Sequence, residues 1–411
     1  MQQSAAAQKC ANSAGEAEAP LPKLEDLIGE AAARAVVDFR HDLHAHPEIG
    51  MSTERTSEAV EAFLKRLGVD EIARFAGTGI AAVIRGGKPG PRIGFRADMD
   101  ALPAPDESGA PWASTCEMRA HLCGHDGHTA GLLGFAAWAA SHRADFAGEI
   151  LLIFQPGEEG WAGADKMIKD GLFERYPVRE VFAAHITGLE PLGKILAREG
   201  PMTACADLFD IVIEGRGGHG ARPHQAVDPV PAAAELILGL QTIVSRNVDP
   251  ALPAVISIGS VQAGDPGAVS VIPERVRLSG TARTTSPEVR DLIERRIAEA
   301  AEGAAKLAGA TAKTTYTRLY PPQINDKALY EAVAPVLKRV AGNRFESNLL
   351  SMGGEDFAFM SECVPGLYFR IGNDDASHHS GVHNPKFDFN DRVFGIWVKA
   401  FAEIAMARLP A

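Results

Sequence analysis

The sequence predicts an α/β protein: a mixed, largely parallel sheet flanked by helices, interrupted by an inserted βαββαβ unit of ferredoxin-like order. Three observations predict it. Up to about residue 184, short apolar strands alternate with helix-length segments, the pattern of a covered sheet. Past Gly200 the order becomes β-α-β-β-α-β, which is the split-βαβ unit. Metal-ligating residue types stand on both sides of that unit, at Cys123 and at His383. If both serve one site, the middle unit is an insertion in a discontinuous domain.

The elements follow in order. Residues 24–67 hold two helical stretches interrupted by His46-Pro47-Glu48. Strands are expected at 79–84 and 92–96, a helix at 127–142, a strand at 149–154, a helix at 162–172 and a strand at 181–184. The polar motifs fall just after strand ends, where open α/β sheets place their ligands. Beyond Gly200, an alternating strand at 207–214 ends in the turn Gly215-Arg-Gly-Gly-His-Gly. A helix at 230–246, strands at 255–261 and 275–283, a helix at 286–307 and a strand at 311–317 complete the unit. After Pro321-Pro322 the chain resumes helix and strand, with Gly353-Gly354-Glu355-Asp356 and His383-Asn384-Pro385 as polar loops.

Composition narrows the function. The 411 residues suggest two or three domains at about 150 residues each. A net charge of -12 argues against nucleic acid, whose phosphates demand basic surface. Lysine and arginine are scattered, so no patch for an anionic membrane forms, and no apolar run reaches the roughly 18 residues of a span. Five irregularly spaced cysteines fit a reducing compartment rather than a disulfide framework. The start, rich in Ala, Glu and Gln without an apolar core, reads as a disordered leader. A soluble cytoplasmic protein with a small-molecule partner is expected.

The chemistry concentrates in His121-Leu-Cys-Gly-His-Asp-Gly-His128 and in Gln155-Pro-Gly-Glu-Glu159. Cys123 and His125, two apart in an extended loop, can point to one side. Thiolate with imidazole suits Zn, Mn, Co or Fe better than Mg or Ca. Two other accounts stay open: Cys123 as a nucleophile with His125 or His128 as its base, or an inert buried cysteine. Glu158 and Glu159 read as the opening of a helix, where neighbours diverge by about 100°. One could then ligate a metal while the other serves as general base, although acidic first turns also simply complement the helix dipole.

Several histidines have plainer accounts. His185, ending an apolar strand, and His383, in a polar loop, would each alone be hydrogen-bonded structural residues. Of His41, His44 and His46, two of the three read as packing residues or as supports behind a ligand, and His378-His379 as solvated. Asp98 and Asp100 alternate at a strand end, either fixing a histidine tautomer or capping the strand. His219, exposed between glycines, suits a donor aimed at substrate. Arg283 suits a bidentate clamp on a carboxylate or, equally, a surface arginine.

Taken together, the motifs resemble those of the M20 metallopeptidases, in the amidohydrolase branch of hippurate hydrolases, N-acyl-L-amino-acid amidohydrolases (aminoacylases) and indole-3-acetyl-amino-acid hydrolases. The landmarks are His41-Asp-Leu-His-Ala-His-Pro-Glu, Arg96-Ala-Asp-Met-Asp-Ala-Leu-Pro, Cys123-Gly-His-Asp-Gly-His-Thr, Gln155-Pro-Gly-Glu-Glu-Gly, Gly217-Gly-His-Gly-Ala-Arg-Pro-His, Gly353-Gly-Glu-Asp-Phe and His383-Asn-Pro. The resemblance runs from about residue 24 to 409 and implies a zinc-exopeptidase-like catalytic domain (24–198 and 318–411) around a lid and dimerisation domain (199–317), after a leader (1–23). It implies two divalent metal ions per subunit, Mn or Zn first and Co or Ni next, held by Cys123, His125, Glu159, His185 and His383. Glu158 is the implied base, deprotonating the attacking water and protonating the leaving amine, and Asp100 orients a ligand. His219 is the implied lid histidine, reaching the partner's site in a homodimer or dimer of dimers to stabilise the oxyanion. Arg283 is the weaker candidate for the substrate's α-carboxylate. Other branches have His where this chain has Asp98, and His125 is read as replacing it. The expected activity is hydrolysis of N-acyl-L-amino acids. The rivals are a small-peptide dipeptidase or carboxypeptidase, a cysteine acyltransferase, and a binding protein that has lost catalysis.

Overall fold

Helices come first, as their apolar spacing demands: α1 (Leu24–Ile28), α2 (Glu30–Ala45) and α3 (Glu54–Leu67). On α2 the buried positions are Ala33, Val36, Arg40, Leu43 and His44, the i, i+3, i+7 stripe of a helix with one inward face. The structure, a computed structural model, describes residues 20–348 and 350–411. Residues 1–19 of the expected leader, with Cys10, lie outside the described residues.

The first body continues with β1 (Glu71–Phe75), β2 (Gly79–Arg85), β3 (Lys88–Asp98), α4 (His125–Ser141), β4 (Ala147–Gln155), α5 (Gly163–Lys169), α6 (Leu172–Arg175), β5 (Val181–Pro191), β6 (Ile195–Leu196) and β7 (Gly200–Pro201). The second body comprises β8 (Ala206–Glu214), β9 (Gly218–His219), α7 (Pro229–Asn247), β10 (Ala254–Ala263), β11 (Val271–Ile272), β12 (Arg275–Thr284), α8 (Pro287–Leu307) and β13 (Thr311–Tyr320). The chain then returns to the first body with β14 (Ile324–Asn325), α9 (Lys327–Ala341), β15 (Phe345–Glu346), α10 (Phe357–Cys363), β16 (Gly366–Asp374) and α11 (Val393–Arg408).

The main sheet has eight strands in the order β1-β2-β4-β3-β5-β16-β6-β15. Its centre, β4-β3-β5-β16, is parallel, and antiparallel pairs lie to either side. Both faces are apolar, which is why its strands read as near-continuous hydrophobic runs. Along β4, Ile150, Leu152 and Phe154 join the core shared with Val36, Phe135 and Trp397, while Leu151 and Ile153 join the opposite core with Met167, Leu172 and Phe357. Helix α4 is buried from His125 to Ala139. Small residues let its neighbours approach: a Cβ on Gly127 would lie 2.1 Å from Phe389 Cδ2.

The second sheet is β10-β12-β8-β13, antiparallel throughout, with α7 and α8 on one face over a core that includes Phe209, Leu240, Leu278 and Ile293. This is the expected ferredoxin-like order. Several details differ from the expectation. Residues 24–67 hold three helices rather than two. Strand β1 was unforeseen. The single helix expected at 162–172 is two short ones, broken near Gly171, whose φ of 90° is left-handed. The strand expected at 181–184 runs on to Pro191. Among the described residues no helix is long and apolar enough to cross a membrane.

Candidate metal centre

The parallel register of β3 and β4 sets Asp98 beside Gln155 and brings the loops after both strands to one edge of the sheet. Those loops carry Asp100 and the glutamate pair. The start of α4 adds Cys123 and His125, β5 adds His185, and a loop after β16 adds His383.

His125 donates from Nδ1 to the carbonyl oxygen of Asp100 at 2.8 Å, which leaves the Nε2 lone pair free. That Nε2 is buried and has no hydrogen-bond partner among the described residues. His185 likewise donates from Nδ1 to Ile186 O at 2.5 Å, and its Nε2 faces Cys123 Sγ at 3.4 Å. Glu159 Oε1 lies 3.2 Å from His383 Nε2. Ligand atoms of Cys123, His125 and Glu159 all fall within 4.8 Å of one another, as do those of Asp98, His125, His128 and His185. Soft and imidazole donors with an unsatisfied buried lone pair fit a transition metal.

His128 is closed to that role. Its Nε2 accepts from the Ile186 N–H at 3.1 Å, so Nδ1 carries the proton and donates to Asp98 Oδ1 at 2.6 Å. His128 therefore holds Asp98, whose other oxygen takes Arg96 Nη1 at 2.8 Å.

The glutamates do not open a helix, contrary to the expectation from sequence. Gly157, Gly160 and Ala162 have φ of 69°, 91° and 52°, left-handed values that a helix cannot contain, and α5 starts only at Gly163. Instead the pair sits in a turn pinned from two sides. Asp100 accepts from the backbone N–H of Glu158 at 2.9 Å and of Glu159 at 3.2 Å. Tyr320 donates its hydroxyl to Glu158 O and accepts from Gly160 N–H at 2.7 Å. Asp100 thus orients His125 through its carbonyl and the glutamate turn through its carboxylate.

The electrostatics divide the roles. Burial, with Glu355, Glu159 and Asp356 nearby, pushes the Glu158 carboxyl well above its ordinary range, which makes its carboxylate a stronger base than a solvated one. Burial raises Glu159 too, but the contact with His383 and the charge of His125 outweigh it and keep Glu159 low. Burial opposes charge on His125, yet Asp98, Asp100 and Glu159 lift the ring to about 10: this nest of carboxylates favours a cation at Nε2. Burial, with Glu159, Glu158 and Asp98, pushes the Cys123 thiol well up. A cysteine nucleophile needs the opposite shift, so the acyltransferase reading loses its support and a thiolate here requires a neighbouring cation.

His219 does not reach this cluster within its own chain. It is exposed in a separate cleft with Ile272 and Glu274, its Nδ1 accepting from Ala221 N–H at 3.1 Å. Arg283 does line the central cavity of about 430 Å³, together with Cys123, Glu158, His185 and His383. Sequence reasoning assigned no role to Tyr320, Arg96 or Glu355. Arg96 left a signal as a charge inside an apolar strand, and Glu355 as part of the Gly353-Gly354-Glu355-Asp356 motif; Tyr320 left none. The early histidines are structural: His41 stacks on Trp112 with ring centroids 3.5 Å apart, and His46 caps its own helix through Asp42 O. His378 and His379 are held by Asp375 and Asp374.

His44 points both ring nitrogens at carboxylates, Asp126 at 2.8 Å and Asp106 at 3.2 Å. Burial opposes its charge, but Asp126 and Asp106 raise it from 6.5 to about 9. Nearby His121 has neither ring nitrogen bonded among the described residues, and burial lowers it from 6.5 to about 3. A raised folded-state pKa gives stability that is full below 6.5 and is lost as pH climbs through 9; a depressed histidine costs stability as pH drops from 6.5 towards 3. Unfolding stability should therefore peak near pH 6.5 as far as these two groups decide it. In His44→Gln the alkaline decline should shrink by on the order of 3 kcal/mol, the remainder coming from other raised groups such as His125, lifted to about 10. Denaturant unfolding at pH 6.5 and 9 checks this, and an unchanged decline would contradict it.

Comparison with known proteins agrees in fold and family. Residues 94–407 match the family described as peptidase family M20/M25/M40. The chain is 36% identical over 392 residues to a hippurate hydrolase of Campylobacter jejuni, covering 95% of this chain and 99% of that protein. It is 35% identical over 382 residues to an N-acetylcysteine deacetylase of Bacillus subtilis, covering 92% and 98%. The crystal structure of the Bacillus subtilis YXEP protein, described as a dinuclear metal binding peptidase from the M20 family, superposes with a TM-score of 0.81 at 33% identity, covering 92% of this chain and 99% of that one.

Proposed function

Because this chain belongs to peptidase family M20/M25/M40 and is a hydrolase of its amidohydrolase group, we propose that it cleaves N-acyl-L-amino acids to a carboxylic acid and a free amino acid. The observation that carries the reading is the buried Glu158, its proton affinity raised, beside a donor cluster with an unsatisfied His125 Nε2.

Cys123, His125, Glu159, His185 and His383 would hold two divalent ions, Mn or Zn first and Co or Ni next. When bound, the ions supply the positive charge that makes water acidic near neutral pH and offsets the negative charge growing on the amide oxygen. Glu158 takes a proton from the attacking water as the C–O bond forms, and returns it to the amide nitrogen as the C–N bond breaks. Asp100 and Tyr320 fix the backbone that aims Glu158. Arg283 clamps the substrate's α-carboxylate with its planar fork. His219, exposed with Nε2 free, serves the site of a second subunit, which makes residues 199–317 both lid and dimer contact around the catalytic segments 24–198 and 318–411. Four free cysteines among the described residues suit a cytoplasmic setting.

A kinetic screen tests this reading: acetyl, benzoyl and indole-acetyl conjugates of L-amino acids, with Mn, Zn, Co and Ni compared. Release of free L-amino acid from at least one conjugate, abolished by chelation, is expected. A metal-replete preparation inactive on the whole panel, or activity surviving exhaustive chelation, would reject it.

A further inference from the structure

The central cavity holds a second guanidinium that this mechanism leaves unused. Arg370 on β16 is in register with His185 on the parallel strand β5, so the two side chains share one face of the sheet. Both line the cavity with Cys123, Glu355, Tyr368 and Arg283. Arg370 Cζ lies 5.9 Å from the centre of the Tyr368 ring. Burial works against its charge, but Tyr368, Glu355 and Cys123 keep it protonated.

The contrast with Arg96 is informative. The Arg96 guanidinium is spent on Asp98, Glu355 and Asp356. Arg370 has a side-chain hydrogen bond to Tyr368 but makes no ion pair among the described residues, and its buried Nε has no hydrogen-bond partner there. A buried cationic donor left unmade is costly, and in a cavity it is the form a ligand-binding group takes before its ligand arrives. Arg283 approaches the same cavity from the second body; its Nη1 lies 3.5 Å from where a Cβ on Gly354 would stand. Two guanidinium forks therefore line one cavity, and a single α-carboxylate fills only one of them bidentately.

We propose that Arg370 binds a second carboxylate on the substrate, so that the enzyme prefers N-acyl amino acids carrying two carboxylates. The second can come from the amino-acid side chain, as in acyl-aspartate or acyl-glutamate, or from the far end of a dicarboxylic acyl group. The proposal rests on the amidohydrolase reading above.

Two matched pairs, measured as kcat/KM with the full-length, metal-loaded enzyme, test it: N-acetyl-L-glutamate against N-acetyl-L-glutamine, and N-succinyl-L-alanine against its terminal amide. The acid of one pair should be favoured by about 30-fold, about 2 kcal/mol at about 1.4 kcal/mol per decade, and the pair that shows it identifies the source. Arg370→Gln should erase that preference by lowering the acid while moving the amide less than about threefold. Arg370→Lys, which keeps the charge without the fork, should retain part of it. Equal rates for acid and amide in both pairs overturn the proposal without needing any variant. So does an Arg370→Gln loss that is the same for all four substrates, which would make Arg370 a structural partner of Tyr368 and Cys123. If these four and N-acetyl-L-alanine are all inert, the amidohydrolase reading itself fails and takes the proposal with it.

Discussion

Glu158→Gln should keep its divalent metal and lose turnover, with kcat falling by about 10²–10⁴-fold, the span that a positioned acid–base group contributes. The amide is isosteric with the carboxylate, so the turn should survive: Asp100 and Tyr320 hold the backbone of Glu158 and Gly160, not the side chain. The lost function is proton transfer. The acidic surroundings of Glu158, with Glu355, Glu159 and Asp356 close by, favour a bound proton there. That suits a group that must carry one from water to a departing amine. Metal analysis beside steady-state kinetics separates the outcomes. Turnover within tenfold of wild type would disqualify Glu158, and loss of metal would make it a ligand rather than a base.

Arg96→Met should destabilise the fold by about 3–5 kcal/mol, the cost of leaving buried charge without its partner. The Arg96 side chain is fully buried and forks to Gln155 at 2.7 Å, Asp98 at 2.8 Å and Asp356 at 2.8 Å, with Glu355 at 3.1 Å. Its removal strands three carboxylates beneath the metal centre. Against a typical margin of about 5–15 kcal/mol, that is a large fraction of what keeps a domain folded. Arg96→Lys keeps one charge but cannot meet all four partners, so an intermediate loss is expected. Denaturant unfolding of the metal-loaded proteins reads the effect, and a loss below about 1 kcal/mol would show that the network is expendable.

How much of this was visible in the sequence depended on whether a feature is local. Helix α4, the long inner strands β2 to β5 of the main sheet and the ferredoxin-like order of the second came through because period and polarity are written along the chain. The spacing of Cys123 and His125 was legible for the same reason. Strand β1, the mixed Glu-Ile-Ala-Arg-Phe at the sheet edge, has no clean alternation and was missed. The glutamate turn was misread because its shape depends partly on Ala162, a residue whose left-handed φ no propensity announces. His128 looked available as a base until Asp98 and the Ile186 N–H were seen to occupy its two nitrogens. Arg370 is one polar residue in an apolar strand; only the parallel register with His185 sets it beside the donor cluster. Tyr320 lies 160 residues after Gly160, beyond the reach of any local pattern.

That distant tyrosine bears on how separable the two bodies are. Inserted units whose ends lie close together are often the parts of a protein that can be exchanged or cut away. Here the last residue of β13 serves as masonry for the first body: its hydroxyl meets Glu158 O, the Gly160 N–H and, at 3.4 Å, the Ala162 N–H. A chain trimmed of residues 206–320 would keep every proposed metal ligand and still lose the keystone that seats the proposed acid–base glutamate.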